Sequence, residues 1–167
     1  MRIGHGFDVH KLLSREEFLK IYPERSSHKF ILGGIEIPFE KLLLGHSDAD
    51  VLTHAICDAL LGAAGLMDIG NQFPDTDASY AAIDSQILLS KVLDLIAARF
   101  KIINIDATIM AERPKIAKHI LAMRKKLSET LKIDIEQINI KATTTEKLGF
   151  VGREEGIAAE ALCLLGA

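Results

Sequence analysis

Apolar and polar positions alternate from the first residues of the chain. In Ile3-Gly4-His5-Gly6-Phe7-Asp8-Val9-His10 a period of two predicts a strand with Asp8 and His10 on one face, beside the side-chain-free Gly4 and Gly6. Phe7 and Val9 fall on the other face, which is expected to be the buried one. The charged stretch from Lys11 to Lys29 contains Ser14-Arg-Glu-Glu-Phe-Leu-Lys and Pro23, shows little period beyond a short helix, and reads as an exposed loop. Phe30-Ile-Leu-Gly-Gly and Ile35-Glu-Ile-Pro-Phe are short strands about a Gly33-Gly34 turn. Ser47-Asp-Ala-Asp fits a capping box with Ser47 at the N-cap, opening a helix of roughly 17 residues that ends near Gly65. That helix is apolar nearly all round and should be buried.

Asp84 is expected to cap a second helix to Arg99, with Leu88, Val92, Leu95 and Ile96 facing the core. Lys101 to Ala111 alternates Ile103, Ile105, Ala107 and Ile109 against Asn104, Asp106 and Thr108, a half-buried strand. Glu112-Arg-Pro-Lys is a turn that places Pro114 at the first position of a third helix, whose stripe is Ile116, Ile120, Met123, Leu127 and Leu131. Ile138 to Thr145 alternates again, and Gly156 to Leu165 is apolar on both faces except for Glu160. The sum is an α/β layer in one domain, residues 1–167: three helices on one face of a mixed sheet of about four main strands. A final strand apolar on both sides makes the uncovered face of the sheet a subunit interface.

Composition narrows the function. The chain is 49% hydrophobic with 5% aromatic residues, enough for a sizeable aliphatic core. A net charge of -3 leaves no basic footprint for nucleic acid, and the longest apolar run is far short of a membrane span. The expected partners are small molecules or other protein chains. Cys57 and Cys163 lie in apolar surroundings without metal-type spacing, as buried thiols of a reducing compartment do. The chain opens directly on the site strand, so no targeting segment is expected and the cytoplasm is the simplest location.

Four groups of residues carry candidate chemistry. Asp8 and His10, an oxygen and a nitrogen ligand two residues apart, suit a divalent ion such as zinc if a third ligand is supplied; alone they fit a polar strand end as well. Asp50, His54 and Asp58 share a helix face at i, i+4 and i+8, which makes His54 the third ligand and Asp50 or Asp58 its orienting carboxylate; a solvated polar stripe is the alternative. Leu66 to Tyr80 is a broken stretch crowded with Asp68, Asp75 and Asp77, fitting either turn chemistry or ligand contacts. Lys141-Ala-Thr-Thr-Thr-Glu-Lys-Leu-Gly-Phe supplies the hydroxyls, anionic ligand and cation that a phosphate–metal complex requires, though threonine is also at home in a strand. Glu160, the lone charge of the last strand, should meet a cation, and Arg153 of its own or a neighbouring chain is the expected one.

Together these runs resemble the 2-C-methyl-D-erythritol 2,4-cyclodiphosphate synthase family. The matching segments are Arg2 to His10, His46-Ser-Asp-Ala-Asp50, His54 to Ala64, Asp68-Ile-Gly70, Phe73-Pro-Asp-Thr-Asp77 and Lys141 to Phe150, in family order over nearly the whole chain. The resemblance implies a homotrimer with active sites between subunits, zinc on Asp8, His10 and His54, and magnesium or manganese held by Glu146 and the substrate diphosphate. It assigns the methylerythritol phosphate end to His46, Ser47, Asp68, Ile69, Gly70, Phe73, Asp75 and Asp77. The cytidine and diphosphate fall to Ala111, Pro114, Lys115, Ala117, Thr143, Thr144 and Thr145. His46 and Thr144 would stabilise the transition state. Phe150, Arg153 and Glu160 would line an axial cavity, Phe150 and Arg153 also bordering substrate, and that cavity can hold a prenyl diphosphate. The implied reaction closes 4-diphosphocytidyl-2-C-methyl-D-erythritol 2-phosphate to the cyclic diphosphate and releases CMP. A non-catalytic diphosphate-binding metalloprotein and a zinc phosphohydrolase are the alternatives. The departure from the family pattern is Lys11 to Lys29, longer and more charged than the family's compact loop.

Overall fold

The computed structural model describes residues 1–45, 47–74 and 83–167, and in it the amino-terminal alternation forms strand β1 (Arg2–Ser14). The glycine face of β1 turns toward the helices, not away from them. A Cβ on Gly4 would lie 1.9 Å from the Ala59 carbonyl oxygen, and one on Gly6 2.0 Å from that of Ala55. Helix α2 (Val51–Ala64) brings Ala55, Ala59 and Ala63 to this contact at a spacing of four, so helix and strand meet almost backbone to backbone. The outward face of β1 is therefore the apolar one. Ile3, Phe7 and Val9 are 75%, 49% and 45% exposed, the reverse of the sequence expectation, because the layer that packs on this strand needs the side-chain-free face.

The sheet has five strands in the order β4-β1-β7-β5-β6, one more than expected, with β4 (Lys41–Leu44), β5 (Lys101–Met110), β6 (Ile138–Thr143) and β7 (Gly156–Gly166). Only β5 and β6 pair in parallel; the other neighbours are antiparallel. β2 (Ile31–Leu32) and β3 (Ile35–Glu36) form a separate hairpin, whose Gly33 and Gly34 have φ of 59° and 73°, values that favour glycine. Helices α2, α4 (Ser85–Ala97) and α5 (Ile120–Leu131) make the second layer. α2 packs on β1 and β7, α5 on β6, and α4 against both helices. Buried between sheet and α4, α2 has no polar face to keep except the stripe through His54 and Asp58. Among the described residues no helix is long and apolar enough to cross a membrane.

Several boundaries move. The N-cap of α2 is Asp50, not Ser47, and the helix has 14 residues. The Asp50 carboxylate is fully buried and accepts from Thr53 N, Thr53 Oγ1, Gly33 N and Gly34 N at 2.6–3.1 Å, tying the hairpin to the helix. Burial, with the nearby Asp48 charge, raises its pKa against the pull of these hydrogen bonds. Lys11 to Lys29 is not a loop throughout: β1 runs on to Ser14, and Ser14 with Glu17 forms the capping box of α1 (Arg15–Ile21). Phe18 of α1 is wholly buried and stacks on His28 at 4.7 Å. Pro114 does not open α5, which starts at Ile120 after a 3-10 turn at Ala117–His119. Leu95 is 44% exposed while Leu89 takes the core position. A register shift between Ile102 and Asn104 turns Ile103 outward and Ile102 inward, which simple alternation misses.

Beyond Ala158, which is buried, β7 is covered on one side only within the chain. Ile157, Ala159, Ala161, Cys163 and Leu165 face the helices, and Glu160 and Leu162 are exposed. Opposite them stand Phe7 and His5 of β1, and Thr108 and Asp106 of β5. Of the apolar residues of β7, Ile157 and Ala159 thus lie on the inner face, and Leu162 and Leu164 on the outer one.

Candidate active site

Midway along β1 and in the first turn of α2, three ligand atoms converge. Asp8 Oδ2, His10 Nε2 and His54 Nδ1 form a triangle with edges of 3.0, 3.1 and 3.2 Å. Bonds of about 2.0–2.1 Å to one tetrahedral ion separate their ligand atoms by about 3.3 Å, so the triangle fits a single zinc-sized ion with a fourth position left open. The side chains are only 26%, 16% and 13% exposed. Burial alone would raise the Asp8 pKa, but the hydrogen bonds and charge of His10 and His54 outweigh it and hold the carboxyl well below the carboxylate range. Burial lowers the pKa of His10, and Asp8 and the Leu44 carbonyl more than reverse that.

Each imidazole is oriented from behind. His10 Nδ1 donates to Leu44 O at 2.7 Å, which leaves the Nε2 lone pair aimed into the triangle. His54 Nε2 donates to Ser85 Oγ at 2.9 Å, with Ser47 Oγ at 3.3 Å, and so frees Nδ1 for the triangle. Ser85 Oγ in turn donates to Asp48, whose other oxygen accepts Ser85 N at 3.0 Å. Neither Asp50 nor Asp58 orients a ligand, as the sequence reading had them do. Asp50 is the helix cap, and Asp58 accepts Ile69 N at 2.9 Å, its pKa raised by burial.

That bond attaches a short helix, α3 (Ile69–Gln72), to α2. Asp68 caps α3 through Asn71 N at 2.9 Å and Asn71 Nδ2 at 2.8 Å, with Gly70 exposed and Phe73 buried. Asp68, Ile69, Gly70 and Phe73 are thus gathered on one turn next to α2. His46, Asp75 and Asp77 lie outside the described residues.

A second cluster stands at the ends of β5 and β6. Ala111, Pro114, Lys115, Ala117, Thr143 and Thr144, all expected, line one pocket of ≈ 140 Å³ together with Ile116 and Ala142. Ala111 N donates to Thr143 O at 3.0 Å, which continues the parallel pairing and holds the two walls together. Thr144 Oγ1 donates to Glu146 Oε1 at 2.8 Å; Glu146 is exposed, and Thr145 turns its hydroxyl to Leu148 O at 2.7 Å. Glu146 and Lys147 have φ of 51° and 67°, costly for residues with a Cβ. Glu112, 5% exposed at its side chain, supports this turn: it accepts Thr145 N at 3.3 Å, Lys147 N at 3.1 Å and Lys147 Nζ at 2.9 Å. Those same bonds to Lys147 hold the Glu112 pKa below its ordinary value.

Phe150, on α6 (Gly149–Gly152), is 40% exposed. Within the chain Arg153 does not pair with Glu160. It makes a two-pronged contact with Glu155 at 2.9 and 3.0 Å, while Glu160 stands exposed on the outer sheet face and has no desolvation to offset. Neither cysteine offers a nucleophile: both are buried, and burial pushes the Cys163 thiol up to about 11.

The sequence reading missed Ser85, Asp48, Glu112 and the Leu44 carbonyl. Backbone groups carry no residue signal, and Glu112 stood in a turn that read as architectural. Ser85 follows the cap of α4, where a serine is unremarked. Asp48, between the two expected groups at 47 and 50, was the one with a local hint.

The model of the YgbB family matches residues 1–166. A curated relative from Thiobacillus denitrificans, named 2-C-methyl-D-erythritol 2,4-cyclodiphosphate synthase, is 54% identical over 166 residues, covering 99% of this chain and 96% of the relative. A relative of the same name from Clostridium botulinum strain Okra is 55% identical, with 99% of each chain covered. Among solved structures, the CDP complex of IspF from Plasmodium falciparum superposes with a TM-score of 0.81 at 36% identity, covering 98% of this chain and 94% of that one. With the fold, the ligand triangle and the full-length identity in agreement, the chain belongs to the YgbB family of 2-C-methyl-D-erythritol 2,4-cyclodiphosphate synthases.

Proposed function

We propose that the chain is an enzyme, a phosphorus–oxygen lyase of isoprenoid precursor biosynthesis. It converts 4-diphosphocytidyl-2-C-methyl-D-erythritol 2-phosphate to 2-C-methyl-D-erythritol 2,4-cyclodiphosphate and CMP. The observation that carries this reading is the triangle of Asp8, His10 and His54, in a chain 54% identical to a synthase of that name over 166 residues. An oxygen of the substrate's 2-phosphate forms a bond to the β-phosphorus. The bond from that phosphorus to the bridging oxygen breaks, and CMP leaves with the oxygen and its electron pair.

No protein nucleophile is required, which agrees with the buried thiols. The chain's task is to hold two anionic groups in a folded pose, turning a repulsive encounter into an oriented one. Asp8, His10 and His54 would hold zinc, and Glu146 with the diphosphate would hold magnesium or manganese; when bound, these ions supply the positive charge that offsets phosphate repulsion. His46, Ser47, Asp68, Ile69, Gly70, Phe73, Asp75 and Asp77 take the methylerythritol phosphate end. The pocket from Ala111 to Ala117, with Thr143, Thr144 and Thr145, takes cytidine and diphosphate; CDP in the Plasmodium falciparum structure supports that assignment. Thr144 and His46 donate to charge developing in the transition state.

The exposed apolar face around Ile3, Phe7, Val9 and Leu162 supports association of chains, which we take as a homotrimer with a single domain per chain, and the cytoplasm is its proposed location. Phe150, Arg153 and Glu160 then stand near its axis, where a prenyl diphosphate would find a cation and apolar walls.

Incubation with the cytidylyl substrate and magnesium, with phosphorus NMR of the products, tests the reading. The cyclic diphosphate with one CMP per turnover is expected. A linear phosphate product would make the protein a phosphohydrolase, and tight binding without CMP would make it a binder.

A further inference from the structure

The segment that follows β1 reaches the site through Arg25. From the turn that follows α1, Arg25 Nη1 donates to Gly45 O at 3.1 Å and to Ser47 O at 3.4 Å. These carbonyls flank position 46, in the loop that leaves β4 and enters α2. The Arg25 side chain is only 20% exposed; its guanidinium lies 4.4 Å from the centre of the Tyr22 ring, and its Nε is 3.6 Å from the Glu24 carboxylate. Tyr22 closes α1, and α1 is seated by the wholly buried Phe18, so the base of this clamp is tied to the core.

The same loop is held from the inner side by the ligand triangle. Leu44 O accepts from His10, Ser47 Oγ lies 3.3 Å from His54 Nε2, and a Cβ on Gly45 would come within 3.0 Å of His10 Cε1. Gly45 and Ser47 are thus each gripped between an imidazole on one side and the guanidinium on the other.

We propose that Arg25 is a positioning residue, clamping Gly45 and Ser47 so that Ser47 meets the phosphorylated polyol end of the substrate already in place. The proposal rests on the functional reading above. A charged donor bridging two carbonyls holds them more firmly than a neutral one, and a lysine ammonium, which could also reach two carbonyls, lacks the planar guanidinium that lies on the Tyr22 ring. A loop ordered in advance spares substrate binding the cost of ordering it. The effect should therefore fall on the full substrate and not on CDP, whose pocket shares no residue with this loop.

The test compares wild type, Arg25→Ala and Arg25→Lys in the full chain. KM and kcat are read from CMP release, CDP affinity from calorimetry, zinc content from metal analysis, and hydrogen exchange at the amides of Ala49 and Asp50. In Arg25→Ala, KM should rise about tenfold with zinc content and CDP affinity unchanged and exchange at both amides accelerated, Arg25→Lys falling between. A lower melting temperature with unchanged KM would make Arg25 only a structural residue and overturn the proposal, as would an equal loss of CDP affinity. If the wild type releases no CMP, the functional reading fails on its own. Exchange then decides the clamp: acceleration in Arg25→Ala supports it, and unchanged protection overturns it.

Discussion

The two ends of the site are built differently. At the β1–α2 end the three side chains are 13–26% exposed, each imidazole is fixed by a second hydrogen bond, and the elements that carry them touch backbone to backbone. At the β5–β6 end Glu146 is exposed, sits in a left-handed turn, and its carboxylate meets one hydroxyl, that of Thr144. The first end is arranged before any ligand arrives. The second is held in shape by Glu112 but still offers Glu146 to solvent, as suits an ion that enters with a diphosphate. On the reading proposed above, the difference is that between a resident ion and one brought in with the substrate, set by burial and by the hydrogen bonds behind the ligands.

The sharpest way to break this contrast is to push β1 and α2 apart. Gly6→Ala places a Cβ against the Ala55 carbonyl, and neither backbone can yield cheaply. A loss of about 3 kcal/mol in chemical denaturation is expected, with zinc content falling alongside. Next in size is His54→Ala, which removes a ligand at a cleft and leaves the core alone. Bound zinc and activity should fall together, activity by roughly a hundredfold or more, while the circular dichroism spectrum holds. Unchanged zinc would remove His54 from the ligand set.

Glu146→Gln tests the other end. Zinc should stay, activity should drop by about a hundredfold, and high magnesium or manganese should restore part of it, because an amide is a weaker ligand for a hard cation. An unchanged rate at low magnesium would remove Glu146 from the site. The smallest effect is expected from Ser85→Ala, which leaves every ligand in place and removes only the hydroxyl that links His54 to Asp48. Zinc affinity should weaken about tenfold in competition with a chelator, with the full-load rate nearly unchanged.

How much was legible follows the same division. Asp8, His10 and His54 could be found because ligand chemistry shows in residue type, and the pocket walls because the resemblance named them. The direction β1 faces could not, since it depends on Ala55, Ala59 and Ala63, whose role appears only once the helix lies on the strand. Ile103 misled because a bulge breaks alternation without a marker residue, and the packing of α1 was missed because its fully buried residue, Phe18, stands among charges. Ser85 and Glu112 act on residues more than thirty positions away, so no local pattern announces them.

The most direct test of the contrast is metal binding by the purified wild-type chain with and without CDP. After dialysis against zinc-free buffer, one zinc per chain should remain whether or not CDP is present, and manganese, followed by its electron paramagnetic resonance signal, should bind with CDP and not without it. Manganese bound equally well in the absence of CDP, or zinc that leaves on dialysis, would contradict the account.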